Sequence, residues 1–286
     1  MDTERAIVTG HCQDREGLVA AITQWIFENG GNILHLDQHV DPATNRFFIR
    51  VEWDLGGFAI GKEQIAARFR SQVAERLQLD FSIGFAGEKP RMAVFVSNES
   101  HCLWDILARC ESGEWNVEIP LIVSNHPKFE NVARQFGIPY HLYPITAQNK
   151  LEQERREREL LEKQQVDFVV LARYMQILSD EFVTRYKNPI INIHHSFLPA
   201  FAGAMPYHQA HERGVKLIGA TAHYVTSDLD EGPIIEQDTA RVSHRDSVQS
   251  MIRRGRDLEK VVLARAIFLH LNRQVIVHGN RTVVFI

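Results

Sequence analysis

The chain has 286 residues, 44% hydrophobic and 24% charged, with a formal net charge of −4, and it is long enough to bury a core without covalent staples. Mild acidity argues against a nucleic-acid footprint, which needs a basic excess. Three cysteines, Cys12, Cys102 and Cys110, form no CxxC pair, so neither a disulfide framework nor a zinc knuckle is expected, and a reducing cytoplasm fits. The charged start MDTERAIVTGHCQDREG does not read as a secretory signal, and no run of about 18 apolar residues suggests a membrane span.

In chain order, AIVTGH reads as a short strand. The helix DREGLVAAITQWIFENGG follows, with Leu18, Ala21, Ile22, Trp25 and Ile26 at helical spacing and Gly30–Gly31 at its end. NILHLDQHV and RFFIRVEWDL flank the turn DPATN. KEQIAARFRSQVAERLQL is an amphipathic helix with Ile65, Phe69, Val73 and Leu77 on one face, and DFSIGFA is a closing strand. The order βαββαβ predicts a ferredoxin-like block. GEKPR punctuates the chain there, giving expected domains at residues 1–87 and 88–286.

The second block alternates again: RMAVFVSNES into the helix HCLWDILARCES, WNVEIPLIVSN into KFENVARQFG, then a short strand near Tyr140 to Tyr143. QNKLEQERRERELLEKQQ reads as a solvated helix laced with i,i+4 ion pairs, without chemistry of its own. DFVVLARYM and IINIHH are apolar strands. A long helix, SVQSMIRRGRDLEKVVLARAIFLHL, precedes the hairpin QVIVHGNRTVVFI, which is grouped with this second block. This pattern predicts a doubly wound, mostly parallel α/β sheet.

In such sheets, sites form at the carboxyl ends of strands. Alternation along INIHH puts Asn192 and His194 on one face and Ile193 and His195 on the other. An amide that can donate to an oxyanion thus shares a face with an imidazole that can move a proton. Two hydrogen-bonded core polar groups would give the same pattern. Downstream, TAHYVTSDLDEGPII carries His223 on a strand and Asp230 in a loop ended by Gly232–Pro233. A carboxylate within reach of His194 would complete a trio suited to acyl transfer, with no Ser or Cys nucleophile. His194, His195, His208, His211, His223 and Asp230 offer metal-ligand types, but His194 and His195 diverge and His208-x-x-His211 lacks HExxH. No metal is expected. The turn VFVSNESH has no glycine to cradle a phosphate, although Ser97 or Asn98 could cap the helix.

Two stretches carry a family resemblance: N-I-H-x-S-x-L-P, mapping Asn192, His194 and Ser196, and H-x-V-x-x-x-x-D-x-G-P, mapping His223, Asp230, Gly232 and Pro233. They resemble the formyltetrahydrofolate deformylases of the folate-dependent formyltransferase superfamily. PYHQAHERGVKLIGATAHYV, GRDLEKVVLARAIFLHL and VIVHGNRTVVF extend the likeness. DREGLVAAI and GGNI make the first block resemble an ACT domain, so the resemblance covers almost the whole chain. Met205 departs from the small polar residue expected there. The resemblance implies hydrolysis of 10-formyltetrahydrofolate to formate and tetrahydrofolate, supplying formate for purine biosynthesis. The catalytic residues would be Asn192, His194 and Asp230, and no cofactor would be needed. It implies folate contacts at Met175, Ile177, Leu178, Ser196, His223 and Gly232. It also implies a small amino-acid effector near Asp14, Gly17, Gly31 and Asn32, which capping and turn formation would explain equally, and a homo-oligomer, dimer or tetramer. Formyl transfer to an amine acceptor is the alternative activity; the glycine-free turn, ill-suited to an acceptor's phosphate, favours water.

Overall fold

The computed structural model describes residues 4–200 and 206–286; Met205 lies outside them. The chain divides into two compact units. The first comprises residues 1–88, 269–278 and 282–286, and the second residues 89–268 and 279–281.

The first unit runs β1 (Arg5–Gln13), α1 (Leu18–Glu28), β2 (Asn32–Asp41), β3 (Arg46–Asp54), α2 (Lys62–Phe69), α3 (Glu75–Leu77) and β4 (Asp80–Phe85), with a π-helical turn, Arg70–Ala74, joining α2 to α3. The antiparallel sheet has the order β2-β3-β1-β4, the βαββαβ ferredoxin-like arrangement expected. Gly30, at φ 77°, ends α1 in the left-handed conformation that glycine adopts without strain. Along β3, Phe47, Ile49, Val51 and Trp53 are all at most 2% exposed. They pack with Ile22 and Ile26 of α1 and Ile65 and Phe69 of α2.

The other face of β3 is also covered. Phe48 packs with Ile276 and Phe285, which belong to the C-terminal hairpin of β12 (Val275–His278) and β13 (Arg281–Val284). Arg50 donates to the carbonyls of Asn272 and Arg273 at 3.2 and 3.3 Å. Residues 269–278 and 282–286 therefore cluster with the first unit and 279–281 with the second, whereas the sequence reading grouped the whole hairpin with the second block. The reason is β3 itself: a strand with Phe48 and Arg50 on its second face needs a lid that is apolar and rich in carbonyls.

The second unit contains β5 (Met92–Val96), α4 (His101–Glu111), β6 (Ile122–Ser124), α5 (Glu130–Gln135), β7 (Tyr140–Leu142), α6 (Lys150–Lys163), β8 (Phe168–Leu171), α7 (Asp180–Arg185), β9 (Ile190–His194), α8 (Pro206–Glu212), β10 (Leu217–Tyr224), β11 (Ile234–Arg241) and most of α9 (Val248–Leu271). Its seven strands order as β11-β10-β9-β8-β5-β6-β7. β5 through β9 run parallel, while β10 pairs antiparallel with both β9 and β11. Every residue of β5 and β8 is buried, as expected of strands covered on both faces. The chain winds outward from β5 in one direction and from β8 in the other, so the ends of β5 and β8 form the switch point.

α6 departs from its expected role. Glu154, Glu157, Arg158 and Leu161 are buried at the i, i+3, i+4, i+7 spacing of an inward stripe. Arg155 does pair with Glu152 and Glu159 on the outer face. The helix is therefore solvated on one side only. Among the described residues, no helix is long and apolar enough to cross a membrane.

Candidate active site

β9 and β10 fix the site by register. Asn192 lies opposite His223 and His194 opposite Thr221, so alternation gives both strands two polar residues on one face. Asn192 Nδ2 is 3.1 Å from His223 Nε2. His223 Nε2 is 3.7 Å from Asp230 Oδ1, and Asp230 Oδ2 is 3.2 Å from His194 Nδ1. The structure thus brings Asn192, His194, His223 and Asp230 into one continuous chain of polar groups. His194 and His223 are 6% and 2% exposed, so these are desolvated contacts, strong for their length.

Asp230 arrives from the loop after β10. Its backbone sits at φ 58°, a left-handed conformation in which Asp is among the tolerated residues. Tyr224 N donates to Pro233 O and closes the loop. A Cβ on Gly232 would lie 1.8 Å from Tyr224 O, so only glycine permits this closure. Gly232 shapes the loop that carries Asp230.

The tautomers follow from the partners. His223 Nδ1 is 3.0 Å from the Tyr224 carbonyl, which can only accept, so Nδ1 carries the proton and Nε2 accepts from Asn192. Burial works against ionisation of Asp230, but the hydrogen bond from His194 leads the effects that outweigh it and hold the carboxyl well below the usual carboxylate range. An ionised Asp230 accepts from His194 Nδ1–H. His194 Nε2 is then left with a lone pair, and it is buried without a hydrogen-bond partner among the described residues.

His195 has different company. Its ring lies 6.3 Å from Tyr207 and 5.0 Å from His194, centroid to centroid. Burial, with Arg173 nearby, pushes its pKa down to about 4, so it is neutral. Ser196 is 4% exposed, its Oγ has no hydrogen-bond partner among the described residues, and it lines an apolar cavity of about 260 Å³ with His195, Phe197 and Tyr207. This separates it from the Asn192–Asp230 chain.

Two site-forming residues escaped the sequence reading. Thr221 Oγ1 donates to Ser196 O and accepts from Leu198 N, while Gln237 Nε2 donates to Thr221 Oγ1 and Leu198 O. Together they pin the loop leaving β9. The available signal was a threonine two residues before His223, hence on the same face of an apolar strand.

At the switch point, Ser97 N donates to Arg173 O. Ser97 Oγ pairs with Asn125 and accepts from Met175 N. It therefore does not cap α4, as the sequence allowed; Ser100 stands at the cap without a side-chain bond. Met175 and Ile177 are 55% and 58% exposed, while Leu178 packs partly buried against the core. Among the described residues, His101, Cys102 and Glu259 are the one group with metal-ligand spacing. Glu259 there already receives His101 at 2.7 Å, Tyr207 at 3.0 Å and Arg173 at 3.3 Å, so a guanidinium sits where a cation would have to bind. His208 and His211 are exposed on α8.

In the first unit, Asp14 N donates to Asn45 O, and Gly17 starts α1 at φ 85°. Gly31 packs where a Cβ would lie 2.6 Å from Ile26 Cγ2, and Asn32 is exposed at the start of β2.

Residues 90–267 match the formyl transferase family, and with the doubly wound sheet this defines the class of protein. The formyltetrahydrofolate deformylase of Synechocystis is 58% identical, the alignment covering 96% of each chain. That of Bacillus subtilis is 48% identical over 99% of this chain and 94% of its own. The crystal structure of a formyltetrahydrofolate deformylase from Pseudomonas syringae superposes with a TM-score of 0.96 at 43% identity, covering 100% of this chain and 95% of that one. The chain belongs to the formyltetrahydrofolate deformylase family.

Proposed function

We propose that the site hydrolyses 10-formyltetrahydrofolate to formate and tetrahydrofolate through Asn192, His194 and Asp230. The observation that carries the assignment of roles is the unpartnered Nε2 of His194, buried while Asp230 occupies Nδ1. Asp230 fixes the tautomer and stabilises the imidazolium that forms. Held so far below the carboxylate range, it is a poor final acceptor for a proton from water. His194 Nε2 takes that proton as water attacks the formyl carbon. It then delivers the proton to N10 as the N10–carbon bond breaks. Asn192, with one Nδ2 hydrogen held by His223, turns the other to the oxyanion of the tetrahedral intermediate.

The loop from Tyr174 to Ser179 carries the folate ring, with Met175 and Ile177 as exposed apolar surfaces and its backbone supplying polar groups. Edge strand β2 offers a pairing surface for a homo-oligomer, and the turns at Asp14, Gly17, Gly31 and Asn32 form the candidate amino-acid effector site. Three free cysteines fit a cytoplasmic enzyme.

Formate release from 10-formyltetrahydrofolate without any added acceptor tests the reaction. Turnover that appears only on adding an amine would identify a transferase instead. An unchanged rate in the presence of a chelator is expected; loss of activity would require a metal.

A further inference from the structure

The charge-dense helix α6 carries two carboxyls that the hydrolysis does not use. Glu154 and Glu157 are 2% and 0% exposed and three residues apart, hence on one helix face. Glu154 takes the end of the loop after β8. Ser179 N donates to its Oε1 at 3.0 Å, and Ser179 Oγ donates to Oε2. Glu157 takes the start of that loop, accepting from Tyr174 OH at 3.1 Å. Between these anchors lie Met175, Ile177 and Leu178.

Among the described residues, Glu157 has no cation of its own. The groups facing it are Glu154 of its own helix, Tyr174 from the loop and Tyr143 from beyond β7. Lys150 lies 3.9 Å from Glu154, Arg158 turns to Glu181 of α7, and Arg156 stacks on Tyr143. Oε2 of Glu157 is buried with no hydrogen-bond partner among the described residues.

We propose that Glu154 and Glu157 are positioning residues for the folate: they hang the Tyr174–Ser179 loop from α6 at both ends. This rests on the reading that the loop carries the folate ring. Burial, opposed by the Tyr174 bond and reinforced by the charge of Glu154, lifts the pKa of Glu157 from 4.5 to about 8. Its folded value lies above its unfolded one. The stability it contributes is complete below pH 4.5 and is lost as pH rises through about 8. Above that point a second negative charge sits beside Glu154 in an apolar setting, and the loop loosens.

The test is kcat and KM for 10-formyltetrahydrofolate from pH 6.5 to 9.5 in the wild type, Glu157→Gln, Glu157→Ala and Ile177→Ala. Glu157→Ala raises KM on the order of tenfold with kcat nearly unchanged. Glu157→Gln, isosteric with the neutral acid, keeps the wild-type KM at pH 7. Wild-type KM climbs above pH 8, whereas that of Glu157→Gln stays level. The same alkaline climb in Glu157→Gln would overturn the proposal, and that comparison decides the matter alone if Glu157→Ala does not fold. An unchanged KM in Ile177→Ala overturns the folate reading and the proposal with it. A raised KM there, with an unchanged one in folded Glu157→Ala, overturns the anchoring alone.

Discussion

His194 and His195 are adjacent in sequence and opposite in circumstance. One holds Asp230 on Nδ1 and leaves Nε2 bare; the other is neutral beside Tyr207. His195→Ala should therefore lower the rate of formate release far less than His194→Ala. Asp230→Asn removes the charge that fixes the His194 tautomer and should lower kcat by roughly 10²–10⁴. Asn192→Ala should cost on the order of 10²–10³ if the amide meets the oxyanion; a variant with full activity would sink either role. The neutral histidines also set an acid limit. His195 and His270 both have pKa values pushed by burial from 6.5 to about 4, so the unfolded chain binds more protons than the folded one between those values. The stability these two histidines contribute is therefore complete above pH 6.5 and falls as pH drops toward 4, against the opposite trend of Glu157. Urea midpoints measured at pH 7 and pH 5 should show this loss, and His195→Asn should make it shallower.

Among the elements, the loop after β10 is the most constrained. Gly232→Ala would force its Cβ against Tyr224 O and displace Asp230. A shift of about 1 Å at a reacting group is worth roughly 10² in rate, so kcat should fall by about that factor with little change in substrate binding; a wild-type kcat would show that the loop absorbs the methyl group. The constellation carried by β9 and β10 was legible in sequence because strand alternation is a rigid rule and both strands keep it. α6 was not. Glu154, Glu157 and Arg158 occupy inward positions, and a composition rich in charge hides an inward stripe that is itself mostly charged. Nor was the fate of Ser97 legible: a serine before a helix reads as a cap, and only the neighbouring Asn125 and Met175 backbone explain why it turns elsewhere.

At the scale of the molecule, the ferredoxin-like unit and the doubly wound unit follow from the order of strands and helices. The assignment of the last hairpin does not. Its two strands have no periodicity that names a partner; what selects the partner is the second face of β3, 223 residues away from Arg273 at Arg50. Phe285 is 6% exposed in the cluster it forms with Phe48 and Ile276. Phe285→Ala should destabilise the first unit by about 3 kcal/mol, read as a lowered unfolding midpoint. A variant with the wild-type midpoint would show that the cluster contributes little.

That hairpin also imposes an order on synthesis. A chain leaves the ribosome from its first residue at about 5–20 residues per second. β3 therefore emerges long before the carbonyls of Asn272 and Arg273 that satisfy Arg50, and the delay is roughly 10–45 s at that rate. Throughout it, Phe48 has no cover from Ile276 or Phe285. The first unit is thus completed only after the strands of the second have been made, and until then one face of its sheet stays uncovered at Phe48 and Arg50, where a chaperone or a protease can detect it.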